Sequence, residues 1–144
     1  MTLLKKLYKE HDKAFAQIEN ICQNKNLSPA IKASKILKLW DEELSAHFKQ
    51  EEQELFADDE QSKELIAEHQ KAYLLIKKIK QNPTEKNTDE FCNLILSHIA
   101  KEENYFRILH AQKNSKKNKT ASLIIISAII SFCAGIFTAR FLKN

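Results

Sequence analysis

Apolar positions recur along the first hundred residues at intervals of three and four, the spacing of one helical face. Leu4, Leu7, His11, Phe15, Ile18 and Cys22 form such a face over about residues 3–22. The stretch NKNLSPA ends it, with Ser28 placed to cap a second helix and Pro29 at its first position, where a missing N–H costs nothing. That helix is predicted to continue to about Phe56, with Ile36, Trp40, Leu44, His47, Glu51 and Leu55 on one side. ADDEQS carries the next turn, where Asp58 and Gln61 have the spacing of a capping box. A third helix then runs to about Lys80, its face formed by Leu65, His69, Tyr73, Ile76 and Lys80. After QNPTEKNTD a fourth helix presents Phe91, Leu94, His98, Glu102, Tyr105 and Leu109. Connections this short favour antiparallel neighbours, so the predicted fold is all-α, an up-down-up-down four-helix bundle over residues 1–112.

The pattern changes at the end of the chain. No charge occurs from Ala121 to Ala139, and a helix over residues 121–142 is long enough to cross a hydrocarbon layer of about 30 Å. We therefore expect a single C-terminal transmembrane helix, with Arg140 near its edge able to snorkel outwards. MTLLKKLYKEHDK interrupts its leucines with lysines, so no leader is predicted there. Lys113, Lys116, Lys117 and Lys119 precede the span, whereas Arg140 and Lys143 accompany its end. That bias places the N-terminal body in the cytoplasm of a tail-anchored, single-pass protein. Ser127, Ser131, Gly135 and Ala139 recur every four residues, a small-residue seam through which two anchors could pair as a homodimer.

Composition agrees with helices, since 144 residues include one glycine and two prolines while 43% are apolar. The net charge of +4 does not indicate a nucleic-acid partner. All 19 acids lie before residue 113, leaving the body at −2 and the remainder at +6. Residues 113–120 thus read as a basic juxtamembrane linker that contacts anionic headgroups. Cys22, Cys92 and Cys133 form no C-x-x-C pair, so free thiols in a reducing compartment are expected, with Cys22 and Cys92 as small apolar fillers.

The polar residues that interrupt the apolar faces repeat. EHDKAF (10–15) matches EHQKAY (68–73), and HFKQEE (47–52) matches HIAKEE (98–103). Each half is a hairpin with one His on its first helix and His-x-x-x-Glu on its second. Folded about a pseudo-twofold axis, the halves bring together His11, His47, His69, His98, Glu51 and Glu102. Burying six ionisable groups unpartnered would cost several kcal/mol each, whereas a metal site satisfies neutral imidazoles and ionised carboxylates together. His and Glu at i and i+4 point the same way, and a carboxylate can bridge two ions. His110, outside the repeat, reads as a solvated helix-end residue.

At His11, HFKQEEQELF, EHQKAY and HIAKEENYF the sequence resembles the hemerythrin-like, or HHE cation-binding, family, over about residues 3–112. That resemblance implies a four-helix bundle around a non-haem di-iron centre that binds dioxygen or a related small oxidant. It makes His11, His47, His69 and His98 terminal ligands of two iron ions, with Glu51 and Glu102 as bridges. The chain departs from the oxygen carriers at two places. They have a second His one turn after the one matching His69, where Tyr73 stands here. They also place the last carboxylate five residues after His, which would select Glu103 rather than Glu102. Glu-x-x-His, the motif of ferritin-like oxidases, is absent, because Leu44, Ile66 and Ile95 precede His47, His69 and His98 by three.

Three functions fit these residues. The first is a membrane-tethered binding protein for dioxygen, nitric oxide or peroxide, as sensor, scavenger or store. The second is an enzyme turning over peroxide or nitric oxide, and the third a metal-stabilised membrane adaptor. No output domain is visible, so a sensor would need a separate redox or signalling partner.

Overall fold

The computed structural model describes residues 3–56 and 58–141, with side chains described as far as Ser115 except at Leu4 and Lys113. Among these residues the regular structure is entirely helical. Helix α1 spans Leu3–Gln23. A second rod begins with α2, Pro29–Leu39, passes through a π-helical turn at Trp40–Leu44, and continues as α3, Ser45–Glu54. Helix α4 spans Glu60–Gln81 and α5 Glu85–Phe141. The chain divides into two compact units after Tyr105, and the first holds all of the chemistry below.

Contacts along the rods set their directions. Lys6 meets Gln50 and Lys13 meets Glu43, so α1 and the second rod run oppositely. Lys80 with Asp41 and His69 with Glu52 do the same for α4 and the second rod. Lys71 with Glu90 and Lys101 with Glu64 fix α4 against the first part of α5. The result is the antiparallel bundle that short loops favour. Its core is a continuous cluster including Ile18, Ile36, Trp40, Phe48, Leu75, Ile79, Phe91 and Ile95, all nearly inaccessible to water.

Caps and turns follow local chemistry. The Ser28 hydroxyl accepts from the Ile31 N–H at 3.4 Å, with Pro29 behind it. At α4 the cap falls one residue later than Asp58: Asp59 accepts from the Ser62 N–H at 2.7 Å and Ser62 Oγ returns the contact. The Tyr105 hydroxyl also donates to Asp59 at 3.0 Å, which ties the start of α4 to α5. That second partner favours Asp59 over its neighbour. The second rod is not the uninterrupted α-helix predicted. Its buried positions, Ile36, Trp40, Leu44, His47 and Glu51, advance by four, four, three and four. Steps this long outrun a 3.6-residue repeat, and one wide π turn absorbs the excess.

Two helical faces are rotated relative to expectation. Phe15 is 40% exposed and Ala14 is buried in its place; Tyr73 is 37% exposed and Lys80 lies outside, while Ala72 and Ile79 point inward. The faces advance by three where the prediction took four. Cys22 and Cys92, expected as free thiols, form a disulfide with their Cα atoms 6.2 Å apart. The antiparallel packing of α1 on α5 brings them within bridging range. The predicted transmembrane helix and its small-residue seam fall on residues 121–142, whose side chains lie outside the described residues. Among the described residues no helix is long and apolar enough to cross a membrane. His110 is exposed, 3.3 Å from Asn114, and sits within α5 rather than at a helix end.

Candidate metal centre

Each rod delivers ligand-type atoms to one level of the bundle. His11 comes from α1, His47 and Glu51 from one turn of α3, His69 from α4, and His98 and Glu102 from one turn of α5. Glu51, His69 and Glu102 are 0% exposed, His11 and His98 1%, and His47 9%. The imidazoles face one another in pairs, with His11 Nε2 2.9 Å from His47 Nε2 and His69 Nε2 2.8 Å from His98 Nε2. Glu51 Oε1 lies 2.9 Å from His47 Nε2 and 3.2 Å from His11 Nε2, and its Oε2 is 3.7 Å from His69 Nε2. Glu102 Oε1 lies 3.1 Å from His98 and 3.5 Å from His69, with Oε2 3.4 Å from His11.

These atoms compose two overlapping groups, His11–His47–Glu51–Glu102 and Glu51–His69–His98–Glu102, each gathered within 4.8 Å. Both carboxylates belong to both groups. Glu51 Oε2 and both oxygens of Glu102 are buried without a well-directed hydrogen bond. Buried carboxylate oxygens of that kind are costly in a protein core and are met by a cation. The nitrogens in each pair are also spaced as neighbours about 2.1 Å from one shared ion would be. The donor set therefore fits a pair of metal ions. Imidazole with carboxylate suits iron, zinc or manganese by chemistry alone.

Glu103, the other carboxylate considered, is 41% exposed at its side chain and stands 3.9 Å from His11 Nδ1. Tyr73 is 37% exposed and meets Trp40 edge-on at 4.8 Å. His69 is held by Phe48, stacked at 3.7 Å, and by Phe56 at 5.6 Å. On the opposite side a cavity of about 300 Å³ reaches His11, His47 and Glu102, walled by Leu44, Phe48 and Ile99. The π-helical turn supplies Glu42, Glu43 and Leu44 to its wall, a feature without a sequence motif beyond the stretched spacing.

Without metal the cage stores protons instead. Burial opposes charge on His11, but the neighbouring Glu102 and Glu51 outweigh it and raise its pKa from 6.5 to about 9. For His98, burial is likewise overcome by Glu102 and Glu68, again to about 9. His47 is raised against burial, chiefly by Glu51. Burial disfavours ionised Glu102, yet His11, His69 and His98 hold its carboxyl well below the usual range. Raised histidines stabilise the fold below their unfolded value and cease to do so as pH rises through the folded one; the depressed carboxylate stabilises above its unfolded value. Metal-free protein is accordingly expected to be most stable between about pH 4.5 and 6.5 and to lose stability steadily towards pH 9. Thermal denaturation across that range checks this, and a midpoint that climbs from pH 6.5 to 9 would oppose it. Metal loading must displace the same protons, so metal affinity is expected to rise with pH.

The sequence pattern of the family described as Hemerythrin HHE cation binding domain matches residues 2–109, the segment that supplies every donor in the cage. No curated protein and no solved structure matches the chain. With three quarters of its length under that pattern, and His and Glu groups that could bind a metal at its centre, the chain belongs to the hemerythrin HHE cation-binding family.

Proposed function

We infer that the bundle is a non-haem di-iron protein whose ligand is dioxygen or a related small oxidant, nitric oxide or peroxide. The observation that carries this reading is the sharing of Glu51 and Glu102 between two four-residue donor groups. Glu51 and Glu102 would together offset the charges of two cations held by these groups. His11 and His47 would hold one iron, and His69 and His98 the other. When bound, the pair supplies a redox couple and open coordination positions. The chain itself supplies a water-poor cage and the cavity beside His11 and His47, which admits a small molecule.

Each donor group contributes two imidazoles, and Tyr73, whose ring packs against Trp40, stands where the oxygen carriers have a further histidine. This favours a reactive centre over a reversible carrier and keeps an enzymatic reading, turnover of peroxide or nitric oxide, as the second possibility. Air is expected to oxidise the reduced protein within seconds to minutes, with no reversal when oxygen is removed. Tyr73→Phe is expected to leave the rate and visible spectrum unchanged. Stopped-flow mixing with oxygenated buffer checks both, and a spectrum that returns on deoxygenation identifies a carrier. Sustained consumption of peroxide or nitric oxide with an added reductant identifies the enzyme.

The charge-free run from Ala121 to Ala139 supports a C-terminal membrane anchor, and the lysines before it support a cytoplasmic body. The Cys22–Cys92 bond withdraws the thiol argument for a reducing compartment, so sidedness rests on the charge bias. Carbonate extraction followed by protease protection of the body tests both.

A further inference from the structure

The imidazoles turn Nε2 inward, and their Nδ1 atoms face a second set of carboxylates. Glu10 Oε2 is 2.9 Å from His47 Nδ1, Glu68 Oε2 is 2.9 Å from His98 Nδ1, and Glu52 Oε1 is 2.8 Å from His69 Nδ1. Glu10 and Glu68 are related by the internal repeat. Each immediately precedes a cage histidine on the first helix of its half and reaches across to the histidine on the second. Each is also backed by a lysine. Lys6 lies 3.5 Å from Glu10, and Lys101 is hydrogen-bonded to Glu68 while also donating to Glu64 at 2.6 Å. The Glu68 arm is the better enclosed, its side chain 16% exposed against 39% for Glu10.

We propose that Glu68, braced by Lys101, is the positioning residue for His98, and that Glu10, braced by Lys6, does the same for His47. This rests on the reading of the cage as a metal centre. An ionised carboxylate can only accept, so each imidazole keeps a proton on Nδ1, and the proton that metal loading displaces is the one on Nε2, whose lone pair then faces the cage. That choice is the one a metal ligand requires, and an accepting partner fixes both ring orientation and basicity. Lysine in turn restrains the carboxylate at the oxygen that the imidazole leaves open: Lys101 donates to Glu68 Oε1, while Lys6 forms an ion pair with Glu10 Oε1 and donates its own hydrogen bond to Gln50 at 2.8 Å.

Cobalt(II) is a suitable probe, since its visible bands report ligand geometry without any turnover. Full-length wild type, Glu68→Ala, Glu68→Gln and Lys101→Met are compared for cobalt affinity against a competing chelator and for band position. Glu68→Ala is expected to weaken cobalt binding by about 10–100-fold and shift the bands. Glu68→Gln, whose amide oxygen still accepts from Nδ1–H, is expected to restore most of the affinity. Lys101→Met keeps the carboxylate and tests the brace even where the alanine variant folds poorly; a loss of about threefold is expected, below the roughly 10–100-fold for removal of the imidazole's own partner. Wild-type affinity and bands in both Glu68→Ala and Lys101→Met overturn the proposal, as does an equal loss in the alanine and glutamine variants. A wild type that takes up no cobalt overturns the metal reading itself, which separates the two failures.

Discussion

Glu102→Ala is expected to remove both metal ions, and Glu51→Ala to do the same, because each carboxylate belongs to both donor groups. The loss of affinity should exceed the roughly 10–100-fold that removal of an outer hydrogen-bond partner costs. Single replacement of His47 or His98 is also expected to strip most metal, since each is one of only two imidazoles in its group. Helicity is expected to persist in all four variants, since the cluster around Trp40, Phe48, Phe91 and Ile95 is untouched. Glu103→Ala provides the contrast. With its side chain 41% exposed and 3.9 Å from His11 Nδ1, Glu103 is expected to be dispensable for loading. Metal analysis with circular dichroism reads all five. Full loading of Glu102→Ala together with loss in Glu103→Ala would transfer the bridge to the neighbouring residue.

The second large effect concerns stability. The Cys22–Cys92 bond closes a loop across 70 positions, joining the last turn of α1 to the second turn of α5. A loop that long restricts the unfolded chain enough to stabilise the fold by about 4 kcal/mol in the chain-entropy model. Reductant, or Cys22→Ser, is therefore expected to lower the melting temperature of the metal-free protein by roughly 15 °C. Calorimetry with and without reductant measures it. A shift within about 2 °C would mean that the helical core suffices without the bond.

The bundle was legible because helical spacing of apolar residues is a strong signal and the turns carry Pro29 and an acidic cap. The cage was legible for a different reason. His and Glu on otherwise apolar faces, repeated between two halves, have few explanations other than a shared polar centre, and the structure brings all six residues together. What stayed hidden depends on tertiary packing. Whether Phe15 or Ala14 faces inward turns on one step of three or four along α1, which neighbouring rods decide. The π turn is implied by the long spacing of Ile36, Trp40 and Leu44, but only along the folded rod does the surplus residue show. Asp59 takes the α4 cap from Asp58 because Tyr105, distant in sequence, adds a second hydrogen bond. No motif marks Cys22 and Cys92, which meet only when α1 lies along α5. The carboxylates behind the histidines are only partly legible: Glu52, beside Glu51, reads either as a partner of the site or as solvated charge, and Glu10 and Glu68 stand in the repeated EH pair, but which imidazole each one meets shows only when the rods cross.

The most direct measurement is an anaerobic titration of metal-free, full-length protein with ferrous ion, following bound iron per chain, with the Glu51→Ala variant in parallel. Two donor groups with shared carboxylates predict saturation at about two ions per chain for the wild type and little binding by the variant. Saturation at a single ion, or equal uptake by both proteins, would contradict a carboxylate-bridged pair.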